Sequence, residues 1–456
     1  MTEVARNVRQ FKWNQKDLAQ RLCHALDVAE HAVGRLAENG YSDLEEPGND
    51  IRPEKVISET AFLLLAASTV PGYRDVTVRI DRIAHLLIPH ARSERMLLKV
   101  CLHPSLALDF AQAHICLGRL GYRDERFDTL LRQSRRAQAR LGRERVPHRM
   151  LEQEWIANSW EDSQIDSQWH PPATRFRSVL NHPVDLLGGT REDAYAFTHA
   201  LMYVRDFNIH PLVLPRRRSE LLAEAEAMLA RCLDEQDYDL GGEMLLAWPL
   251  MGKSWSAAAA FGFRVLARVE DMAGFLPASS TRLDRFKRLE DKEGSKYLLA
   301  TAYHTVYVMG LLCAVSLQPG RTPPIEFSAN NIARGRATPI LQILDSDAQK
   351  SHWREELEIL SEEGRDAVAG LLLDIALLRS VNRRDFRKVR ELLAIGDTLG
   401  LSDTPCSGQA AEILERLAIF ARVTQVDRSI PDKGSESMTK LNPPNVLRTL
   451  QTPSMV

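Results

Sequence analysis

Six apolar helical segments, each interrupted at one point by a single ionisable side chain, constrain this chain more than any other feature. They are ISETAFLLLAAS with Glu59, FAQAHICLGRL with His114, AFTHALMYVRDF with His199, LGGEMLLAWPL with Glu243, TAYHTVYVMGLL with His304 and LLLDIALLRSV with Asp374. Successive ionisable residues are 55, 85, 44, 61 and 70 positions apart, each interval long enough for one helix out and one helix back. Helical periodicity extends to most of the remaining sequence, as in residues 221–233 and 389–399, while runs of alternating β-branched residues are scarce. The predicted fold class is all-α.

The exits from these segments repeat as well: PGYRD (71–75), LGYRD (120–124), YVRDF (203–207) and VNRRDF (381–386). After the first, second and fourth an amphipathic polar helix follows at once. The aspartate is then expected at the N-cap, accepting free amides of the second helix. An apolar helix paired with a polar one reads as an αα-hairpin, repeated six times. A solenoid of such hairpins normally keeps a near-constant period of about 34–47 residues. The intervals here are unequal, and the W-x-x-L-G consensus of tetratricopeptide repeats is absent. A closed ring tolerates unequal connections better, so a closed (α/α)6 toroid is expected over residues 15–422, with an open helical-repeat solenoid as the alternative. Residues 1–14 form a polar lead. After about Arg422 the periodicity fades into a tail rich in Pro, Ser and Thr, and residues 423–456 are expected to be mobile or to wrap the surface.

The hairpin array resembles the α/α-toroid superfamily, which includes terpene cyclases, protein prenyltransferase β subunits, lanthionine cyclases and several glycosidases. The resemblance covers roughly residues 15–420 and rests on hairpin pattern. The D-x-D-D motif of class II terpene cyclases is missing, the nearest approach being Asp237, Tyr238, Asp239 and Leu240. The two cysteines and one histidine of the lanthionine cyclases' zinc set have no clear counterpart. What the resemblance implies is therefore a fold and an axial cavity, and it carries no particular activity.

If the six segments share one register, Glu59, His114, His199, Glu243, His304 and Asp374 form a layer around that cavity. Three histidines and three carboxylates in a poorly solvated space make an acid/base constellation, because burial and mutual charge push their pKa values apart. His199 and His304 are the candidates for proton transfer, with Glu243 orienting or accepting. Tyr203 and Tyr307 share the faces of their histidines, and Trp248 is a candidate aromatic wall. Set against this, a lone histidine on an apolar helix is usually a core group satisfied by a neighbour. His199, Glu243 and His304 have the chemistry of a metal set, but no local H-E-x-x-H spacing supports one and no metal site is predicted.

Charge narrows the field of partners. The 59 basic and 61 acidic residues nearly cancel, leaving no global field to recruit nucleic acid or an anionic membrane. Arg216, Arg217 and Arg218, and the arginine-dense stretch 132–149, are read as solvated helix faces. The longest apolar run, residues 61–67, is too short to cross a bilayer, the polar N-terminus lacks a signal-like apolar region, and six scattered cysteines read as buried free thiols. A cytoplasmic protein is expected. Residues 247–254 (AWPLMGKS) match a Walker pattern only loosely and lack the preceding strand. TREDAYAF (190–197) reads as a capping box. Residues 154–172, with three tryptophans, read as a long connection that lids the ring, binds a partner or anchors in the core.

The functional expectation is a biosynthetic enzyme of lyase, cyclase or isomerase type, with an axial acid/base site for a small organic or peptide-derived substrate. The alternative is a non-catalytic helical scaffold for a peptide or protein partner. Cofactor and oligomeric state are left open.

Overall fold

The structure, a computed structural model, describes residues 14–36, 53–136, 144–162, 178–326, 334–345 and 351–428. Every regular element among them is a helix, so the all-α class is correct. The first helix, Gln15–Gly34, opens on a capping box between Asn14 and Asp17; another opens at Thr190 and Asp193, where the sequence places one. Asp124 and Asp385 accept from the amides of Phe127 and Lys388, both at 3.0 Å, and so cap the polar helices that follow two of the repeated exits. The third differs: Tyr73 is the N-cap of Arg74–Ala91, and Asp75 falls inside the first turn.

Contacts divide the chain into two compact units, residues 1–411 and 412–456. The second contributes the helical stretch 412–428, which exposes Leu417, Ile419, Phe420 and Val423; residues 429–456 lie outside the described residues.

In the first unit, successive side-chain pairs show that six helices run in the same direction. His148 meets His199 with ring centroids 6.0 Å apart, Tyr203 donates to Glu152 at 2.7 Å, and Trp155 donates to Asp206 at 2.7 Å, so Pro147–Asp162 lies parallel to Arg191–Arg205. Thr198 donates to Glu243 at 2.5 Å and Arg205 to the Leu250 carbonyl at 2.8 Å, which aligns Arg191–Arg205 with Tyr238–Leu245 and its continuation Ala247–Met251. Glu59 with His304, Thr60 with Tyr307 and Thr69 with Gln318 do the same for Pro53–Ala67 and Tyr303–Ser316. Gln153 reaches Asp109, and Arg119 reaches Ser159, aligning Ala107–Arg119 with Pro147–Asp162. The Tyr238–Leu245 helix also packs against Tyr303–Ser316, and Pro53–Ala67 against Ala107–Arg119.

The Asp374 helix, Ala369–Asn382, packs instead against Arg218–Glu235 and its hairpin partner Phe386–Leu399. Pro147–Asp162 was not anticipated as a helix of this layer. Trp155 and Trp160 are buried on it as core anchors, while Trp169 lies outside the described residues.

Apart from His304, Tyr303–Ser316 is buried on all faces, as expected of a helix that is apolar all round. No single helix among the described residues is long and apolar enough to cross a membrane. All six cysteines are free; Cys116, Cys232, Cys313 and Cys406 are buried, Cys23 is half-buried and Cys101 is exposed, contrary to the uniformly buried set expected. Close approach of the first helix depends on Gly310, where an added Cβ would sit 2.6 Å from Ala25 Cβ and 3.0 Å from Leu63 Cδ1. The Ala25 Cβ is fixed to its backbone and cannot swing aside. Gly310→Ala is therefore expected to destabilise by about 1–3 kcal/mol through overpacking, despite alanine's better helix propensity. Urea denaturation measures this, and an unchanged or raised midpoint would show that the two helices have room to part.

Candidate functional site

Three helices bring the polar cluster together. On Tyr238–Leu245, Asp239 and Glu243 lie one turn apart on the same face. Tyr303–Ser316 supplies His304 near its start, and Pro53–Ala67 supplies Glu59. His304 Nδ1 lies 3.1 Å from Glu59 Oε1, and its Nε2 lies 3.6 Å from Asp239 Oδ1 and 3.9 Å from Glu243 Oε1. A fourth helix, Arg191–Arg205, brings His199 Nε2 to 3.6 Å from the same Glu243 oxygen. Glu243 Oε1 therefore stands between two imidazoles.

The surroundings sort these groups by exposure. Glu243 is almost sealed, its side chain 3% exposed, whereas His199 and His304 keep 20% and 30% of their side-chain surface. Glu243 is enclosed, while the two imidazole rings and Glu59, at 23%, are partly open. Thr198 donates to the far oxygen of Glu243, and Tyr195 donates to Asp239, on which Thr305 also converges at 3.3 Å. Arg191 lies over the Tyr195 ring and forms a two-point pair with Asp237. Tyr195 and Tyr203, one turn either side of His199, present their ring edges to it. Four buried polar atoms here, Glu59 Oε2, His199 Nδ1, Tyr303 Oη and His304 Nδ1, make no hydrogen bond among the described residues.

Electrostatics favours a charged His304. Burial works against its charge, but Glu59 and then Asp239 outweigh that and push it up to about 10. Glu59 is held below its usual value because His304 overcomes its own burial. His199 is raised too, Glu243 and Glu152 together prevailing over burial and Arg149. Its neighbour His148 is lowered by burial and by the positive charge around it. The phenols of Tyr195 and Tyr303 are raised by burial and by the adjacent carboxylates, so both stay neutral. An imidazolium, a shared carboxylate and a second imidazole in contact are a proton donor, an acceptor and a relay.

Of the residues singled out from the sequence, Glu59, His199, Glu243 and His304 thus meet at one place. Tyr203 lies beside them, bound to Glu152. Tyr307 sits one turn below His304, sharing a 2.9 Å hydrogen bond with Thr60. His114 stands apart: it lies 3.1 Å from Asp128, receives Arg92 Nε at 3.2 Å and stacks on Phe127, a fully partnered core histidine. Asp374 is also elsewhere, accepting from Thr404 at 2.9 Å, and burial followed by Glu226 pushes it up to about 8. Trp248 is a core residue stacked on Trp255. Among the described residues no group of three or more His, Cys, Asp or Glu is arranged to hold a metal ion.

Asp239, Tyr195 and Tyr303 were missed. Their signals are local: Asp239 precedes Glu243 by four residues, Tyr195 precedes His199 by four, and Tyr303 adjoins His304.

An all-helical protein with a histidine–carboxylate cluster spread over four helices is the class that fold and site define. The chain belongs to the family described as Domain of unknown function (DUF6895), whose model matches residues 22–314, a stretch that contains the four clustered residues and excludes Asp374. No curated protein and no solved structure matches the chain.

Proposed function

We propose that the protein is an acid/base enzyme acting on a small organic or peptide-derived substrate, of lyase, cyclase or isomerase type. The observation that carries this reading is the single carboxylate oxygen of Glu243 placed 3.6 Å from His199 and 3.9 Å from His304, with both imidazoles partly open. In this scheme His304, held as an imidazolium by Glu59, donates a proton to the group that leaves or is reduced in charge. Glu243 accepts a proton from the substrate, and His199 passes it on. Because donor and acceptor are distinct, a proton is removed at one atom and returned at another, as elimination, cyclisation and isomerisation require.

The reading extends to architecture. Six parallel helices, in the order Pro53–Ala67, Ala107–Arg119, Pro147–Asp162, Arg191–Arg205, Tyr238–Met251 and Tyr303–Ser316, with the last packed on the first, are what an (α/α)6 toroid would have as its inner layer. Its sixth member is then Pro147–Asp162 in place of the Asp374 helix.

The test is incubation of wild-type protein, His304→Gln and Glu243→Gln with a total small-molecule extract, followed by untargeted mass spectrometry. A mass consumed and a mass formed by wild type alone, with each substitution lowering the rate by about 100-fold or more, is expected. If wild type and both well-folded variants leave the extract equally unchanged across a range of extracts, the cluster is structural and the scaffold reading replaces this one.

A further inference from the structure

The opposite ends of the same helices carry a second concavity. The exits after Ala67, Arg119, Arg205 and Ser316 converge on a cleft of about 680 Å³. Gln318 ties three of them together, donating to Thr69 Oγ1 at 2.9 Å and to the Phe207 carbonyl at 3.1 Å, with Asn208 donating back to it at 3.3 Å. One wall is strained: Asp206, Phe207 and Asn208 all have positive φ, at 41°, 49° and 66°, although none is glycine. Such backbone is costly and concentrates at ligand sites.

The lining is one-sided in charge. Arg119, Arg123 and Arg321 face the cleft and no aspartate or glutamate lines it. Arg119 is neutralised by its two-point pair with Asp206 at 2.9 and 3.0 Å. Arg123 is exposed and has no ion-pair partner among the described residues. Among the described residues Arg321 donates only to the Pro249 carbonyl, and Arg205 behind it only to the Leu250 and Leu212 carbonyls and to Asn208. Capping carbonyls explains part of this, but a guanidinium has five N–H groups and the one contact recorded for Arg321 leaves the others free to point elsewhere. Burial first, and then Arg218 and Arg321, lower Arg205 to about 10. The repeated exit motif accounts for the source of the positive charge: in LGYRD the aspartate is consumed as an N-cap and in YVRDF by Arg119, which leaves Arg123 and Arg205 without a carboxylate.

We propose that this cleft is a second ligand site that takes a small molecule bearing an oxyanion, phosphate or carboxylate, clamped between Arg123 and Arg321 with Asn208 and Gln318 as neutral partners. It stands independently of the His304 cluster.

Trp255, whose indole N–H donates to the Arg321 carbonyl at 2.8 Å, is a built-in reporter. The full-length chain would be titrated with inorganic phosphate, pyrophosphate and succinate at constant ionic strength, following the Trp255 indole signal. Saturable binding is expected, weakened on the order of tenfold or more by Arg123→Gln and further by Arg123→Gln/Arg321→Gln, and unaffected by His304→Gln. Arg123→Gln removes no described contact, so it separates lost binding from lost folding. Phosphate or pyrophosphate binding alone marks a phosphorylated ligand; succinate binding alone marks a carboxylate ligand. No saturable binding of any of the three to wild type, or equal binding to wild type and Arg123→Gln, overturns the proposal.

Discussion

Replacing Glu59 by Gln is expected to lower the midpoint at which His304 titrates from about 10 by roughly two units, a hundredfold change in its proton affinity near neutral pH. Glu59 is the nearest carboxylate, at 3.1 Å, and the largest of the influences that hold the proton on. Asp239 and Glu243 remain, so the midpoint does not fall all the way to that of a buried, unpaired imidazole. Histidine-labelled NMR, with His304→Gln to assign the resonance, reads the change directly. A midpoint that moves by only a few tenths of a unit would mean that Asp239 and Glu243, not Glu59, hold the charge.

The same shift has a consequence for stability. The folded value of His304 lies above its ordinary 6.5, so the stabilisation is complete below about pH 6.5 and disappears as the pH rises through about 10. His199, raised as well, acts in the same direction. Asp374, raised from 3.8 to about 8, also withdraws stability with rising pH, but over the lower window between those values. Above about pH 8 the buried thiols of Cys116, Cys232, Cys313 and Cys406, all raised by burial, add to the histidines' share of the loss, because unfolded thiols titrate at about 8.5. Glu59→Gln should remove the His304 share of that slope and leave the Asp374 and thiol shares in place.

The largest loss of stability is expected from Asp206→Ala, about 3–5 kcal/mol by chemical denaturation. Asp206 is buried and accepts from Arg119 twice, from the Trp155 indole at 2.7 Å and from the His210 amide at 3.3 Å. Its removal takes a two-point charge partner from a guanidinium that is only 5% exposed. Alanine also fits the left-handed backbone at this position less well than aspartate does. Asp206→Asn keeps an acceptor and tolerates that backbone while losing the charge, so it should fall between wild type and alanine. A cost below about 1 kcal/mol for Asp206→Ala would show that water reaches Arg119 on replacement.

Both predictions bear on what the sequence made legible. Glu59, His199, Glu243 and His304 could be found because each interrupts an apolar stretch of helix, a pattern that survives any choice of connection. His114 and Asp374 satisfy the same pattern and lie elsewhere. Their partners, Asp128 and Arg92 for one and Thr404 for the other, come from other segments of the chain, and nothing in the spacing of those segments pairs them with these two residues. Pro147–Asp162 escaped notice for a related reason. It carries Glu152, Trp155 and Trp160 among polar residues, and has no apolar run to mark it as an inner helix. The part played by Asp206 was hidden because YVRDF looks like the other exits, yet here the aspartate turns back on Arg119 and Trp155 instead of starting a new helix.

Parallel packing also sets a length scale. Glu59 to Thr69 and His304 to Gln318 are ten and fourteen residues apart along their helices, so the histidine cluster and the arginine-lined cleft lie about 15–20 Å from one another. Tyr303–Ser316 is enclosed on all sides and cannot bend or unwind cheaply between them. It behaves as a rigid spacer that holds the two sites a fixed distance apart, so that either can be filled without reshaping the other.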